Sequence, residues 1–517
     1  LFRYSRRQRH KGAGGSIIDW SAIYERSIAM KVSTTYEVVI GLEVHVQLST
    51  IAKIFAPEKN DFGSSPNSDV SAVTIAHPGT LPVLNRQVIE YGVKLGIALS
   101  SEISRSMVFE RKNYFYPDLP KGYQITQDRT PICVGGHLEL TLSDGTIYDV
   151  SLTKAHLEED AGKSIHTEHS SKSFVDLNRS GVPLLEIVTD PVMHTAEQAM
   201  IFLKEIRTLI RYLNISDGNM EEGSMRCDAN ISLRKPGQPL GSKVEIKNMN
   251  SIRNVGRAIE HEIVRQNKLL DEQVEIESET RTFDADTGDT HEMRSKESLN
   301  DYRYFPDPDL SPVFIDDKWF EEIEASMPKL PSEIKRELVE EYKLSTYDSV
   351  FLAEDPALYG YWKACMGYTK LSKQVTNWLM GSVQTYLNNK NMEIVDFPLH
   401  PSQLTTMVHA IEQNQVSRTA AINQLFPYLM LNTTSDISEA IDLLKIRQED
   451  NEAELMQVIE SVLANFPDKI KAYHQGKKGL IGMFMGQVMK EVGNNADPKK
   501  TNQLLEKALQ NKKETYV

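Results

Sequence analysis

Glu43 and His45 stand two residues apart in the stretch Ile40-Gly41-Leu42-Glu43-Val44-His45-Val46-Gln47-Leu48. Leu42, Val44, Val46 and Leu48 alternate there with Glu43, His45 and Gln47, which is the period of a half-buried strand. The two polar groups therefore leave the same face, roughly 6.5 Å apart along the strand. A carboxylate and an imidazole at that spacing can hold one cation or a close pair of cations. A solvated strand face carries the same residue types, so other segments must decide.

Several segments add to the pattern. Glu186 lies in the apolar run Val182-Pro183-Leu184-Leu185-Glu186-Ile187-Val188. An unpaired buried carboxylate is costly, so Glu186 is protonated, paired with a base such as Arg179, or bound to a metal. Arg226, Asp228, Asn230 and Ser232 share one face of Met225–Leu233, and Lys243, Glu245 and Lys247 one face of Lys243–Asn248. Glu158, Glu159 and Asp160 end a further strand beside Gly162. They suit a hard cation that binds nucleotide phosphates, although a solvated acidic turn looks similar. Gly162-Lys163-Ser164 is no P-loop, because Leu157 occupies the place of the required first glycine. Charged faces on so many strands predict an open sheet lining a cation-and-phosphate site. Between them, Arg111–Gln124 interleaves cations and aromatic rings around Pro117 and Pro120. That composition suits stacking a base and holding phosphates, or a packed surface loop.

The elements that must position these residues come from length and pattern. A chain of 517 residues, 40% apolar and 25% charged, holds two to four globular domains. No run of 18 uncharged apolar residues occurs, so no membrane span is expected. Cys133, Cys227 and Cys365 lie far apart, which argues against a disulfide framework or a thiolate zinc site. A net charge of −14 opposes indiscriminate nucleic-acid binding, yet residues 466–517 carry ten lysines against five acids. Residues 1–34 form a basic leader: Arg3, Arg6, Arg7, Arg9 and Lys11 precede the first acid, Asp19. It resembles an organelle transit segment, with a plain basic tail as the alternative. Strand-like alternation dominates 36–310, broken by a helix at Arg86–Leu99, and His137–Leu157 reads as two strands joined at Ser143-Asp144-Gly145. Beyond Pro308 the period becomes helical: Trp319–Ala325, Ser332–Tyr342, Ala357–Met366, Lys373–Leu387, Pro401–Gln413, Arg418–Leu429, Ser438–Arg447 and Glu452–Asn465. Gly479–Lys490 places small glycines in an apolar helix, which would permit close approach of another backbone.

Taken together, these segments resemble the B subunit family of the tRNA-dependent amidotransferase. The likeness runs from about Tyr36 to Leu509. It rests on Ile40–Leu48, Pro78–Asn85, Tyr116–Gln124, His156–Lys163, Gly181–Val188, Arg226–Ser232, Glu245–Ser251, Asp301–Pro306 and Gly486–Lys490.

The resemblance implies an α+β protein. An N-terminal cradle domain with an antiparallel sheet, akin to glutamine synthetase and guanido kinases, would span 35–327. A helical domain at 328–400 and a YqeY-like, tRNA-binding helical tail at 401–517 would follow. It implies that ATP phosphorylates the side-chain carboxylate of Glu on misacylated Glu-tRNA(Gln), or of Asp on Asp-tRNA(Asn), and that ammonia then displaces the phosphate. The ammonia would come from an amidase-type glutaminase A subunit. A small third subunit, C-type or an organelle-specific replacement, would complete the complex. Carried onto this chain, the catalytic residues are Glu43, His45, Glu158, Glu186 and Asp228, and the Mg²⁺ ligands are these five with Glu159. Lys121, Tyr123, Arg226, Lys243 and Lys247 are expected to take ATP and its phosphates, and Lys477, Lys478 and Lys490 to take tRNA. Many members carry cysteine pairs before Pro78; this chain has Asp69–Ala76 instead, so no zinc is expected there. The leader favours a mitochondrial matrix form. Two rivals are a non-catalytic RNA-binding scaffold, which would not need the whole acidic set, and a free-standing ammonia ligase, which would leave the lysine-rich tail idle.

Overall fold

A computed structural model describes residues 35–166, 172–293, 302–448, 452–492 and 498–512. The leader at 1–34, and Asp301 of the Asp301–Pro306 segment, lie outside them. The chain divides between Ile334 and Lys335 into two compact units, within the helix Pro331–Glu340.

The first unit is built on five long or central strands: β1 (Glu37–Gln47), β2 (Ile147–Glu159), β3 (Pro183–Thr189), β4 (Met225–Arg234) and β5 (Val244–Lys247). Their order across the sheet is β5-β4-β1-β3-β2, with every neighbouring pair antiparallel. Short strands extend this to ten. Glu279–Phe283, which runs parallel to β5, and Thr290–Glu292 lie beyond it. Cys133–Val134 and Glu102–Ile103 lie beyond β2, and His137–Thr141 also pairs with β2. The alternation expected of β1 holds: Leu42, Val44 and Val46 are buried, while Glu43, His45 and Gln47 are half-buried.

Three helices cover the apolar face: α1 (Arg86–Ala98), α2 (Ala196–Tyr212) and α3 (Ile252–Asp271). Their apolar residues share one core with those of β1. A strand-dominated reading of 36–310 includes α1 and misses the other two. Both carry start signals: Thr195 and Gln198 form a capping box, and Ser251 accepts from the Asn254 N–H. The stripe of α3 carries Val255, Ala258, Ile259 and Ile263 at helical spacing, with Glu262 and Gln266 buried beside them. α2 and α3 approach closely at Gly256, where a Cβ would sit 2.4 Å from the Met200 sulfur.

The second unit is helical. Two helices expected to be continuous are interrupted by π-turns, at Leu379–Val383 and Ala421–Leu425. The first contains Gly381, and the second ends just before Pro427, whose ring cannot continue a regular i→i−4 ladder. Thr346–Ala353, unforeseen in the sequence, is a further helix with a Ser345/Asp348 capping box. The tail helices Glu452–Ala464, Pro467–His474, Leu480–Val492 and Pro498–Asn511 enclose a core of their own, including Ile459, Leu463, Phe484, Val488 and Leu505. Among the described residues, Gly479, Gly482 and Gly486 serve no close approach. A Cβ on any of them meets nothing within 4 Å. No described helix is long and apolar enough to cross a membrane.

Candidate functional site

With the helices on one face, the period of two sends the polar residues of all five central strands to the other. Register then sets which of them meet. His45 lies opposite Glu186 of β3, and Glu186 lies opposite His156 of β2. Glu43 lies opposite Asp228 of β4, and Asn230 opposite Glu245 of β5. Two groups of candidate ligands result, His45–Glu158–Glu186 and Glu43–Asp228–Glu245, each with its donor atoms within 4.8 Å of one another. Opposite oxygens on an octahedral Mg²⁺ lie about 4.2 Å apart, so each group has the span of ligands on one ion. Adjacent placement on β1 makes them neighbours.

The first group is compact and mostly buried. His45 Nε2 lies 3.3 Å from Glu186 Oε2 and 3.9 Å from Glu158 Oε1. His156 Nε2 lies 3.4 Å from Glu186 Oε2 and 3.7 Å from Glu158 Oε2, and its Nδ1 is buried without a hydrogen bond. Burial opposes charge on His45, but the hydrogen bond to Glu186 and the charges of Glu186, Glu158 and Asp228 outweigh it and push its pKa up to about 9. Burial likewise opposes charge on Glu186, yet the His45 hydrogen bond and the charges of His156, His45 and Lys112 bring it down to about 2. In the cation-free protein, His45 thus contributes stability in full below about 6.5 and loses it as pH rises through about 9. Glu186 contributes above about 4.5 and loses it as pH falls through about 2.

A cation held by the His45 nitrogen must displace its proton. Binding at this group should therefore release about one proton at pH 7 and tighten about tenfold per pH unit up to about pH 9. Titration calorimetry in buffers of different ionisation enthalpy measures that proton. Heats independent of the buffer would contradict the arrangement.

The second group already holds an organic cation. Lys247 bonds Asp228 and lies 2.9 Å from Glu245, and the neighbouring charges drive its pKa upward against burial. Three carboxylates converge there around one ammonium, an anionic donor set of the kind that suits a divalent ion. Asn230 donates to Glu43 at 2.9 Å and fixes that carboxylate.

The three adjacent acids divide by strand alternation. Glu158 faces the first group and Asp160 emerges on the same side, where Arg226 (2.7 Å) and Gln47 (3.0 Å) donate to it. Glu159 turns the other way, to Lys121 and the Ile125 N–H (2.8 Å). Glu159 is therefore separated from both ligand groups. Among the residues expected at phosphates, Arg226 and Lys247 lie on the polar face. Lys121 is held by Glu159, Tyr123 packs under Arg111 (4.2 Å), and Lys243 is exposed at the edge of β5. Lys477, Lys478 and Lys490 all belong to the tail and are exposed, with Lys478 over the Tyr473 ring at 4.1 Å. His156 and Glu245 join the site although the sequence did not single them out. The alternation Lys154, His156, Glu158, Asp160 was the available signal for His156, and the shared face of Glu245 and Lys247 for Glu245.

Comparison with known proteins identifies the family of the chain. Residues 38–321 match the GatB/GatE catalytic domain, and residues 361–509 match the GatB domain. The chain is 45% identical over 480 residues to the B subunit of the aspartyl/glutamyl-tRNA(Asn/Gln) amidotransferase of Thioalkalivibrio sulfidiphilus, covering 92% of this chain and 100% of that protein. Proteins of the same name from Chlorobium luteolum (44% over 476 residues) and Albidiferax ferrireducens (42% over 474) each cover 92% of this chain and 99% of their own length. The catalytic-domain match spans all five strands that carry the acids, and the likeness runs nearly end to end. On both counts, the chain belongs to the family of the amidotransferase B subunit.

Proposed function

We propose that this chain activates the side-chain carboxylate of a mischarged tRNA with ATP and passes ammonia onto it, converting Glu-tRNA(Gln) to Gln-tRNA(Gln). The observation that carries this reading is the pair of ligand groups set side by side on β1 by Glu43 and His45. In the reaction, a carboxylate oxygen takes the terminal phosphoryl group of ATP and ADP leaves. Ammonia then attacks the acyl carbon and phosphate departs, leaving the amide. Phosphoryl transfer needs little covalent help from a protein and much positioning of charge. Mg²⁺ ions, when bound, neutralise the phosphoryl oxygens. The chain's own part is to hold the ligands rigidly on neighbouring strands, with Glu43, His45, Glu158, Glu186 and Asp228 as the chief holders and Glu245 and His156 beside them. Arg226 and Lys247 supply fixed positive charge on the same face. The sheet backed by helices supports a cradle of the glutamine synthetase and guanido kinase kind, and the separate tail core supports a YqeY-like module.

Glutamine hydrolysis falls to a partner. An amide-cleaving thiol must be accessible and easily ionised. Cys133, Cys227 and Cys365 are all buried, and burial pushes Cys133 and Cys365 up to about 12 and Cys227 upward as well. An amidase-type A subunit and a small third subunit, C-type or organelle-specific, complete the enzyme. The Arg-rich, acid-poor residues 1–18 support a mitochondrial matrix form.

The experiment combines the reconstituted complex, mischarged tRNA, ATP and glutamine, and identifies the aminoacyl product. Gln-tRNA is expected, and unchanged Glu-tRNA would overturn the reading. The chain alone should release no glutamate from glutamine; release abolished by mutating one of its own residues would sink the division of labour.

A further inference from the structure

The turn from Tyr114 to Gly122 carries two rings for which the fold has no packing use. Phe115 is 85% exposed and Tyr116 66% exposed. Rings of this size bury roughly 150–250 Å² when packed, so leaving two in water forgoes a large stabilisation. The turn itself is firmly held. The Tyr114 N–H donates to Gly122 O at 3.2 Å, the Leu119 N–H to Tyr116 O and the Gly122 N–H to Leu119 O at 3.0 Å each. Leu119 is buried beneath, and the Gly162 N–H donates to Asp118 O at 2.8 Å. Gly122 has φ +75°, and a Cβ there would lie 3.0 Å from the Phe115 ring. Phe115 therefore rests against a glycine that leaves it room, with most of its surface in water.

The turn lies beside the acidic site: the strand that leaves it, Tyr123–Thr126, ends with the Thr126 hydroxyl donating to Glu158 Oε2 at 3.4 Å. Tyr114 heads the turn, and burial followed by the charges of Glu158 and Glu159 pushes its phenol up. Its ring packs edgewise on Tyr302 (6.3 Å), and Lys112 lies over Tyr302 at 4.8 Å. Lys121, near the other end of the turn, pairs with Glu159. Of the cations around the turn, Lys112 alone has no carboxylate within ion-pair distance among the described residues, which leaves limited attraction for phosphates. Asp118 stands within the turn, Lys121 is already paired, and Arg111 is engaged by Asp307 and Asp309. A bare ring offers stacking, which serves any nucleobase.

The reaction proposed above brings an adenine ring to this site from two sources. One is the terminal adenosine of the tRNA, which bears the amino acid, and the other is ATP. We propose that Phe115, seated against Gly122 and flanked by Tyr116, is the stacking platform for the terminal adenine of the tRNA. The assignment rests on that reaction, and the open setting favours a base arriving on a macromolecule over one enclosed with the nucleotide.

The test uses the assembled complex with Phe115→Leu, which keeps an apolar side chain without a π face, together with Phe115→Ala and Phe115→Trp. Kinetics give KM for mischarged tRNA and for ATP, and direct binding uses the trinucleotide CCA beside CC ending in an abasic ribose. Leu and Ala should raise the tRNA KM and weaken CCA binding about tenfold, with Trp close to wild type. The abasic probe should bind all forms alike, and the ATP KM should not move. Wild-type tRNA affinity in Phe115→Leu overturns the proposal. So does a rise confined to the ATP KM, which gives the ring to the nucleotide, or dissociation of the complex, which makes the patch an interface with another chain. A wild-type complex that amidates no mischarged tRNA would instead defeat the function proposed above, and the trinucleotide comparison would still judge the platform.

Discussion

Glu186→Gln is expected to lower ATP-dependent activation of the mischarged residue by at least about a hundredfold while leaving the fold intact. Glu186 is the carboxylate nearer to both imidazoles, 3.3 Å from His45 and 3.4 Å from His156. The amide keeps the shape and removes the charge. One ligand group then has only Glu158 as an anion, and the principal support for the raised His45 pKa is gone. Asp228→Asn should act in parallel at the other group, where it also frees Lys247 from its bond to Asp228. An unchanged circular dichroism spectrum and a cooperative unfolding transition, at a midpoint lowered in Glu186→Gln by the lost charge interaction, would establish that structure is preserved. ADP formation dependent on mischarged tRNA, at saturating Mg²⁺, reads the loss. Near wild-type rates in both variants would remove these residues from the chemistry.

The second large effect concerns RNA. Removing residues 452–517 should weaken tRNA binding by about tenfold or more, with little change in basal ATP hydrolysis. The tail has a core of its own, so its removal leaves the core of the sheet-bearing unit whole. Its lysines, Lys477, Lys478 and Lys490 among them, suit phosphate contacts. Such contacts release counterions, giving a slope of log affinity against log salt of nearly one per phosphate. Replacing these three lysines with alanine should reduce the measured slope by about three if each holds one phosphate. A dissociation constant and salt slope unaffected by truncation would exclude the tail from tRNA binding.

What the sequence disclosed follows from which interactions are local. The face shared by Glu43 and His45 was legible because strand period is a property of neighbouring residues. The division of Glu158, Glu159 and Asp160 follows from the same period once β2 is extended to Glu159. Pairing between strands is not local. Nothing near His156 indicates that it will lie opposite Glu186, and nothing near Glu43 that Asp228 and Glu245 will close around it. The family resemblance supplied Glu43, Glu186 and Asp228 together, and the register shows which residues each of them meets. Helices α2 and α3 were obscured for another reason. Both carry an apolar stripe at helical spacing and caps at Thr195 and Ser251, and a strand-dominated reading of 36–310 passes over them because strands precede and follow each one. The glycines at 482 and 486 suggest a contact surface by type, but small residues permit approach without requiring it.

The central claim is that two cation groups share β1, one on His45 and one on Glu43. Mn²⁺ titration of the full-length protein, followed by electron paramagnetic resonance of the free ion, tests it most directly. The account predicts two Mn²⁺ per wild-type chain, with one lost in Glu186→Gln and one in Asp228→Asn. A stoichiometry unchanged by both substitutions would contradict it.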